Sequence, residues 1–127
     1  MTRSIHDNRV LGYEVDVRMR SLVLHTEFSE HGEHERTDVV FTEVLGYHLR
    51  DGLGGILFAI EPIDLADLVR KEATLFADGA KYGWPFKGCS GDPVAFAESR
   101  GMRAWRIDSS IGFDGFVVAK AMTLVPR

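Results

Sequence analysis

Tyr13, Val15 and Val17 alternate with Glu14, Asp16 and Arg18, the period of two expected of a strand with one polar face. Leu22, Leu24 and Phe28 continue the alternation after a short break at Met19, Arg20 and Ser21. Residues 29–36 are too polar for a core and fit a hairpin loop. From Asp38 to Arg50 apolar residues occupy both faces: Val39, Phe41, Leu45, Tyr47 and Leu49 on one, Val40, Val44 and Gly46 on the other. That stretch predicts one long central strand, covered on both sides. The glycines of residues 51–55 suit a tight turn, and residues 56–60 return as a fourth strand, making a hairpin across residues 36–61.

The period then changes. Pro62 ends the strand pattern and Asp64 is placed to cap a helix. Leu65, Leu68, Val69, Ala73, Phe76, Ala77 and Ala80 recur at helical spacing opposite a polar face, which predicts an amphipathic helix over residues 64–80. Asp92 as N-cap, Pro93 in the first turn and Gly101 as the stop define a second, shorter helix. Residues 103–108 and 116–124 read as two last strands joined by the turn-rich residues 109–115. The expected architecture is therefore a single α+β domain over residues 1–127. It is an antiparallel four-strand meander followed by two helices and two further strands, with the helices packed on the sheet.

Composition narrows the function classes. At 127 residues, 45% hydrophobic and 27% charged, the chain can bury a core of its own. One cysteine, Cys89, makes no intramolecular disulfide and needs no oxidising compartment. The first seven residues hold no apolar signal core, and no apolar run approaches the ~18 residues of a membrane span. A cytoplasmic location away from membranes is expected. The net charge of -4 disfavours direct nucleic-acid binding, which rests on cations meeting phosphates. The charge is uneven: residues 1–63 carry 6 Lys+Arg against 11 Asp+Glu, residues 64–127 carry 9 against 8.

Few motifs carry chemistry. His31 and His34, flanked by Glu30, Glu33 and Glu35, have metal-ligand spacing but no third anchor, so neither metal nor cofactor is expected. Cys89 between Gly88 and Ser90-Gly91 lacks nucleophile-elbow spacing and reads as a small loop residue. The glycines at 52, 54 and 55 form neither a dinucleotide fingerprint nor a phosphate loop. Glu43 and His48 differ in parity, so a regular strand sends them to opposite faces. Asp108, Ser109 and Ser110 are explained by a capped turn. Trp84, Trp105, Phe113 and Phe116 fit a core better than a base-stacking surface. The acidic stretch from Glu27 to Glu43, with six carboxylates and the single cation Arg36, fits a solvated edge or a docking surface for a basic protein.

Two segments, Leu45-Gly46-Tyr47-His48-Leu49-Arg50-Asp51-Gly52-Leu53-Gly54-Gly55-Ile56-Leu57-Phe58-Ala59-Ile60-Glu61 and Trp105-Arg106-Ile107-Asp108-Ser109-Ser110-Ile111-Gly112-Phe113, carry a resemblance. The chain resembles small bacterial proteins similar to the immunity proteins of contact-dependent growth inhibition systems, by element order over residues 10–125. The resemblance implies a non-catalytic protein that binds and blocks a cognate toxin domain in the cytosol. The acidic stretch suggests a basic toxin met by Glu30, Glu33, Glu35 and Asp38. The alternative is a small enzyme or ligand-binding domain with a pocket near His48 and Cys89. A deep pocket with convergent polar groups would favour the alternative, a convex acidic face the binder.

Overall fold

A computed structural model describes residues 5–30, 32–50, 55–84, 86, 88–89, 91–110 and 113–127, without the side chains of Glu30, Glu33 and Phe58. The chain is α+β, with helices laid against antiparallel sheet. Five strands come first: β1 (Arg9–Asp16), β2 (Ser21–Glu30), β3 (Glu33–Thr42), β4 (Gly46–Arg50) and β5 (Leu57–Ile63). Three helices follow, α1 (Leu65–Lys71), α2 (Ala73–Ala80) and α3 (Pro93–Ser99), then β6 (Arg103–Ser109), β7 (Asp114–Ala119) and β8 (Ala121–Pro126). The strands form two sheets, in the order β1-β2-β3-β8 and β4-β7-β6-β5.

Alternation along each strand builds the layers. Leu22 and Leu24 of β2 and Val39 and Phe41 of β3 point inward from the first sheet. Leu57, Trp105, Ile107, Val117 and Ala119 of the second sheet meet them, and Phe41 and Trp105 touch edge-on at 5.7 Å. The opposite parity of the second sheet faces the helices, where Ala104, Phe116 and Val118 pack under Leu65, Leu68, Phe76, Phe86 and Ala97. β7 is therefore covered on both faces, as its apolar run Phe116-Val117-Val118-Ala119 requires. On the buried side of the first sheet a polar chain also closes. Asn8 Nδ2 donates to Thr26 Oγ1 at 3.0 Å, and Thr26 Oγ1 donates to the Thr37 carbonyl at 2.6 Å.

Several expected boundaries move. The long strand over residues 38–50 breaks at Glu43, whose φ is 49°, and its two halves belong to different sheets. Tyr47 and Leu49 still enter the same inter-sheet core as Val39 and Phe41, so the alternation runs on across a corner. The hairpin across residues 36–61 does not form: β4 pairs with β7, β5 pairs with β6, and β4 and β5 are opposite edges of one sheet. The turn expected at residues 51–55 lies outside the described residues except for Gly55. The loop expected at residues 29–36 is mostly ladder, with Phe28 opposite Glu35 and Glu30 opposite Glu33. The four-strand meander is thus the three strands β1-β2-β3, with β8 in the fourth place.

The long helix is two, α1 and α2, separated at Glu72 (φ -107°, ψ 31°). Asp64 caps α1 by accepting from Ala66 and Asp67 N–H, and Asp92 caps α3 by accepting from Val94 N–H, as expected. The final strand over residues 116–124 is also two strands, which change sheets at Lys120. Both crossings meet at one corner. Lys120 N–H donates to the Thr42 carbonyl at 3.1 Å, and Lys120 Nζ pairs with Glu43 Oε2 at 2.9 Å. Among the described residues no helix is long and apolar enough to cross a membrane.

Candidate functional site

The acidic stretch divides when its side chains are placed. Glu30 and Glu33 face each other in register at the tip of the β2–β3 hairpin; their side chains lie outside the description. Glu35 is exposed on β3. Asp38 is not on the surface: it is 6% exposed, accepts from Arg127 Nε at 2.8 Å, and has His25 Nδ1 2.9 Å away. Its carboxylate joins β2, β3 and the end of β8. Glu27, opposite Arg36 in the ladder, accepts from Arg36 Nε at 3.0 Å. That bond first, then the one from His34, holds the Glu27 carboxyl below the ordinary 4.5 against the opposing effect of burial. Glu35 is therefore exposed, Glu30 and Glu33 hold the tip positions of the ladder, and Asp38 and Glu27 are tied into the sheet.

A concavity lies elsewhere. A cleft of about 670 Å³ opens between the β1–β2 turn and β4. Val15, Asp16, Val17, Arg20 and Ser21 form one wall, Trp84 and Arg100 come from the helical layer, and residues 44–49 form the other wall. Gly46, Tyr47, His48 and Leu49 are four successive residues of β4 and project alternately to its two faces, so a cavity that touches all of them runs along the strand's edge. Among the described residues that edge is unpaired: β4 ends its sheet and pairs with β7. Gly46 lies on the wall, buried and without a side chain, where another backbone can come close.

Close contacts hold these walls. Gly115 lies opposite Leu49 in the β4–β7 ladder, and a Cβ there would collide with the His48 carbonyl. Trp84 N–H donates to the Gly79 carbonyl at 2.9 Å, and Trp84 lies so close over Gly79 that a Cβ would strike both its ring and its carbonyl. The His48 ring is wedged between Trp84 (5.9 Å, edge-on) and Phe116 (6.0 Å). Val44 N–H donates to the Arg20 carbonyl at 2.8 Å, which ties the turn to the start of β4. At the tip of that turn Val17 and Met19 are 84% and 71% exposed, and Tyr82 beside Trp84 is 87% exposed. Of these exposed groups Val17 lines the cleft.

Other sequence candidates do not converge here. Cys89 packs on the helix-side core and does not line the cleft; neither do Asp108, Ser109 and Ser110. Glu43 is held by Lys120. His34 sits 3.2 Å from Ser29 Oγ, His31 lies outside the described residues, and no group of three metal-ligand side chains occurs among the described residues. Trp105, Phe113 and Phe116 are buried in the cores. The sequence points to His48 for a pocket and offers Trp84, near Arg100, only for a base-stacking surface, while Arg20 reads as part of a strand break. Compared with known proteins, the chain matches no family model, no curated protein and no solved structure.

Proposed function

We propose that this is a protein-binding domain that takes an extended segment of its partner along the free edge of β4. One observation carries the reading: Gly46, Tyr47, His48 and Leu49, consecutive residues of β4 that alternate in direction, all line a single cleft, as an open strand edge does. An unpaired edge offers a row of N–H and C=O groups, and strand addition satisfies them while flanking pockets read alternate side chains. Trp84, Tyr47, Val15 and the exposed Val17 supply apolar contact along the cleft. A pocket at His48 was the mark of the ligand-binding alternative; its shape along a backbone edge favours a peptide over a compact small molecule.

Within this reading the resemblance makes the partner a toxin domain that binding neutralises, with the acidic tip of the β2–β3 hairpin aiding encounter with a basic surface. The test is calorimetric titration with the toxin domain encoded beside the chain's own gene, together with assay of that toxin's activity. Tight binding with inhibition is expected, weakened at least tenfold by Val17→Asp with Trp84→Ala. Equal affinity in that variant would remove the cleft from the interface. Absence of binding to the neighbouring gene's product would remove the immunity role.

A further inference from the structure

We infer that the segment added to β4 carries an acidic side chain, seated by Arg20 and Arg100; this rests on the strand-addition reading above. Both arginines line the cleft, and among the described residues neither meets a carboxylate. The cleft holds one acid, Asp16, and its Oδ1 already accepts the Met19 N–H at 2.9 Å within the turn. In a chain of net charge -4, the cleft thus carries two cations against one engaged anion.

Both arginines are held before any partner arrives. The Arg100 guanidinium lies over the Phe96 ring, 3.9 Å from its centroid. Stacking fixes the plane of the fork and leaves its N–H edge free to meet a carboxylate in two-point fashion. Arg20 has a left-handed backbone (φ 53°) in the β1–β2 turn, and its carbonyl is bound by Val44 N–H, so the backbone that carries its side chain is tied beside the start of β4. A carboxylate that both arginines reach gains charge-assisted bonds from each.

This polarity is opposite to that of the hairpin tip. β2 spans ten residues, so the β1–β2 turn at its start and the acidic tip at its end are separated by roughly 30 Å. One partner can present an acidic strand at the first and a basic surface at the second.

The experiment pans phage-displayed random short peptides against the full chain, with the Arg20→Gln, Arg100→Gln double variant as counter-target. Enriched peptides are then measured by fluorescence anisotropy, as selected and with Asp or Glu changed to Asn or Gln. Backbone amide shifts of the protein locate each complex. We expect peptides of alternating β-branched and polar residues with a shared acidic position. Neutralising that position should weaken binding about tenfold or more, as should the double variant, and the shifts should fall on residues 46–50. The peptide substitution needs no protein variant, so misfolding cannot imitate the effect. Winners that shift residues 46–50 but lack an acid, or bind equally well without it, overturn the acidic preference and leave strand addition standing. Winners that leave residues 46–50 unmoved, or free carboxylates of small acids that compete as well as the peptides, overturn strand addition itself. Panning that enriches nothing overturns both.

Discussion

Asp38 illustrates how far one carboxylate's role depends on where its side chain points. From sequence it belongs with Glu30, Glu33 and Glu35, because charge counts along a chain do not distinguish a hairpin tip from a ladder position beside His25 and Arg127. Asp38→Asn should therefore act on stability: an amide cannot accept from both neighbours with the same strength, and a loss of about 1–3 kcal/mol in urea unfolding is expected. A change within 0.3 kcal/mol or so would mean that the pair of bonds contributes little. Glu27 gives a pH signature. Its carboxyl is depressed by Arg36, so its contribution is fully present above the ordinary 4.5 and fades as pH falls through the lower folded value. In Glu27→Gln that part of the acid-side loss should vanish, as read from unfolding midpoints between pH 3 and 6. Gly115 is the steric case. Gly115→Ala should cost about 1–3 kcal/mol and shift the amides of β4, because the added methyl meets the His48 carbonyl. An unchanged midpoint would place β4 further from β7 than described.

Elements with local causes were legible, and those with distant causes were not. Asp92, Pro93 and Gly101 set α3 within ten residues of one another, and Asp64 starts α1 by bonding to its own first turn. Pairing is different. Residues 45–61 have hairpin chemistry, yet β4 chooses β7 and β5 chooses β6, more than forty residues away, because the helices need one face of that sheet and the first sheet needs the other. The cleft was illegible for the same reason: its walls come from four separate segments, and nothing in the spacing of His48 and Trp84 brings them together. The β2–β3 hairpin belongs to this scale as well. Its tip is a rim, so reversing Glu30, Glu33 and Glu35 to Lys should slow association with a basic partner about tenfold at low salt. The difference should shrink when the Debye length is ~8 Å, with the unfolding midpoint nearly unmoved. Stopped-flow rates at two salt concentrations decide it; identical rates at both would take the tip out of the encounter.

At the scale of the whole chain, the two sheets are stitched by strands that leave one for the other. β3 passes into β4 at Glu43, and β7 passes into β8 at Lys120. On another side Val10 N–H donates to the Gly55 carbonyl and Leu57 N–H to the Asn8 carbonyl, which joins the start of β1 to the start of β5. Neither sheet can lose its order without exposing the core it shares with the other, where Phe41 lies against Trp105. The helices in turn cover the outer face of β6 and β7. This connectivity predicts one cooperative transition. In urea, tryptophan fluorescence reports Trp105 between the sheets and Trp84 at the helical layer, while far-ultraviolet circular dichroism reports the backbone; the two curves should coincide. Glu43→Ala should lower the midpoint slightly and leave the slope unchanged, because the ion pair it breaks is half-exposed and contributes about 0–1 kcal/mol. The corner itself is held by backbone: Val44 N–H on the Arg20 carbonyl, Leu45 N–H on that of Val118 and Lys120 N–H on that of Thr42. Separate transitions, with fluorescence and ellipticity parting by more than their fitting error, would show the sheets unfolding independently. In that event the edge of β4 would be held only by β7, and the cleft beside it could open without the rest of the molecule.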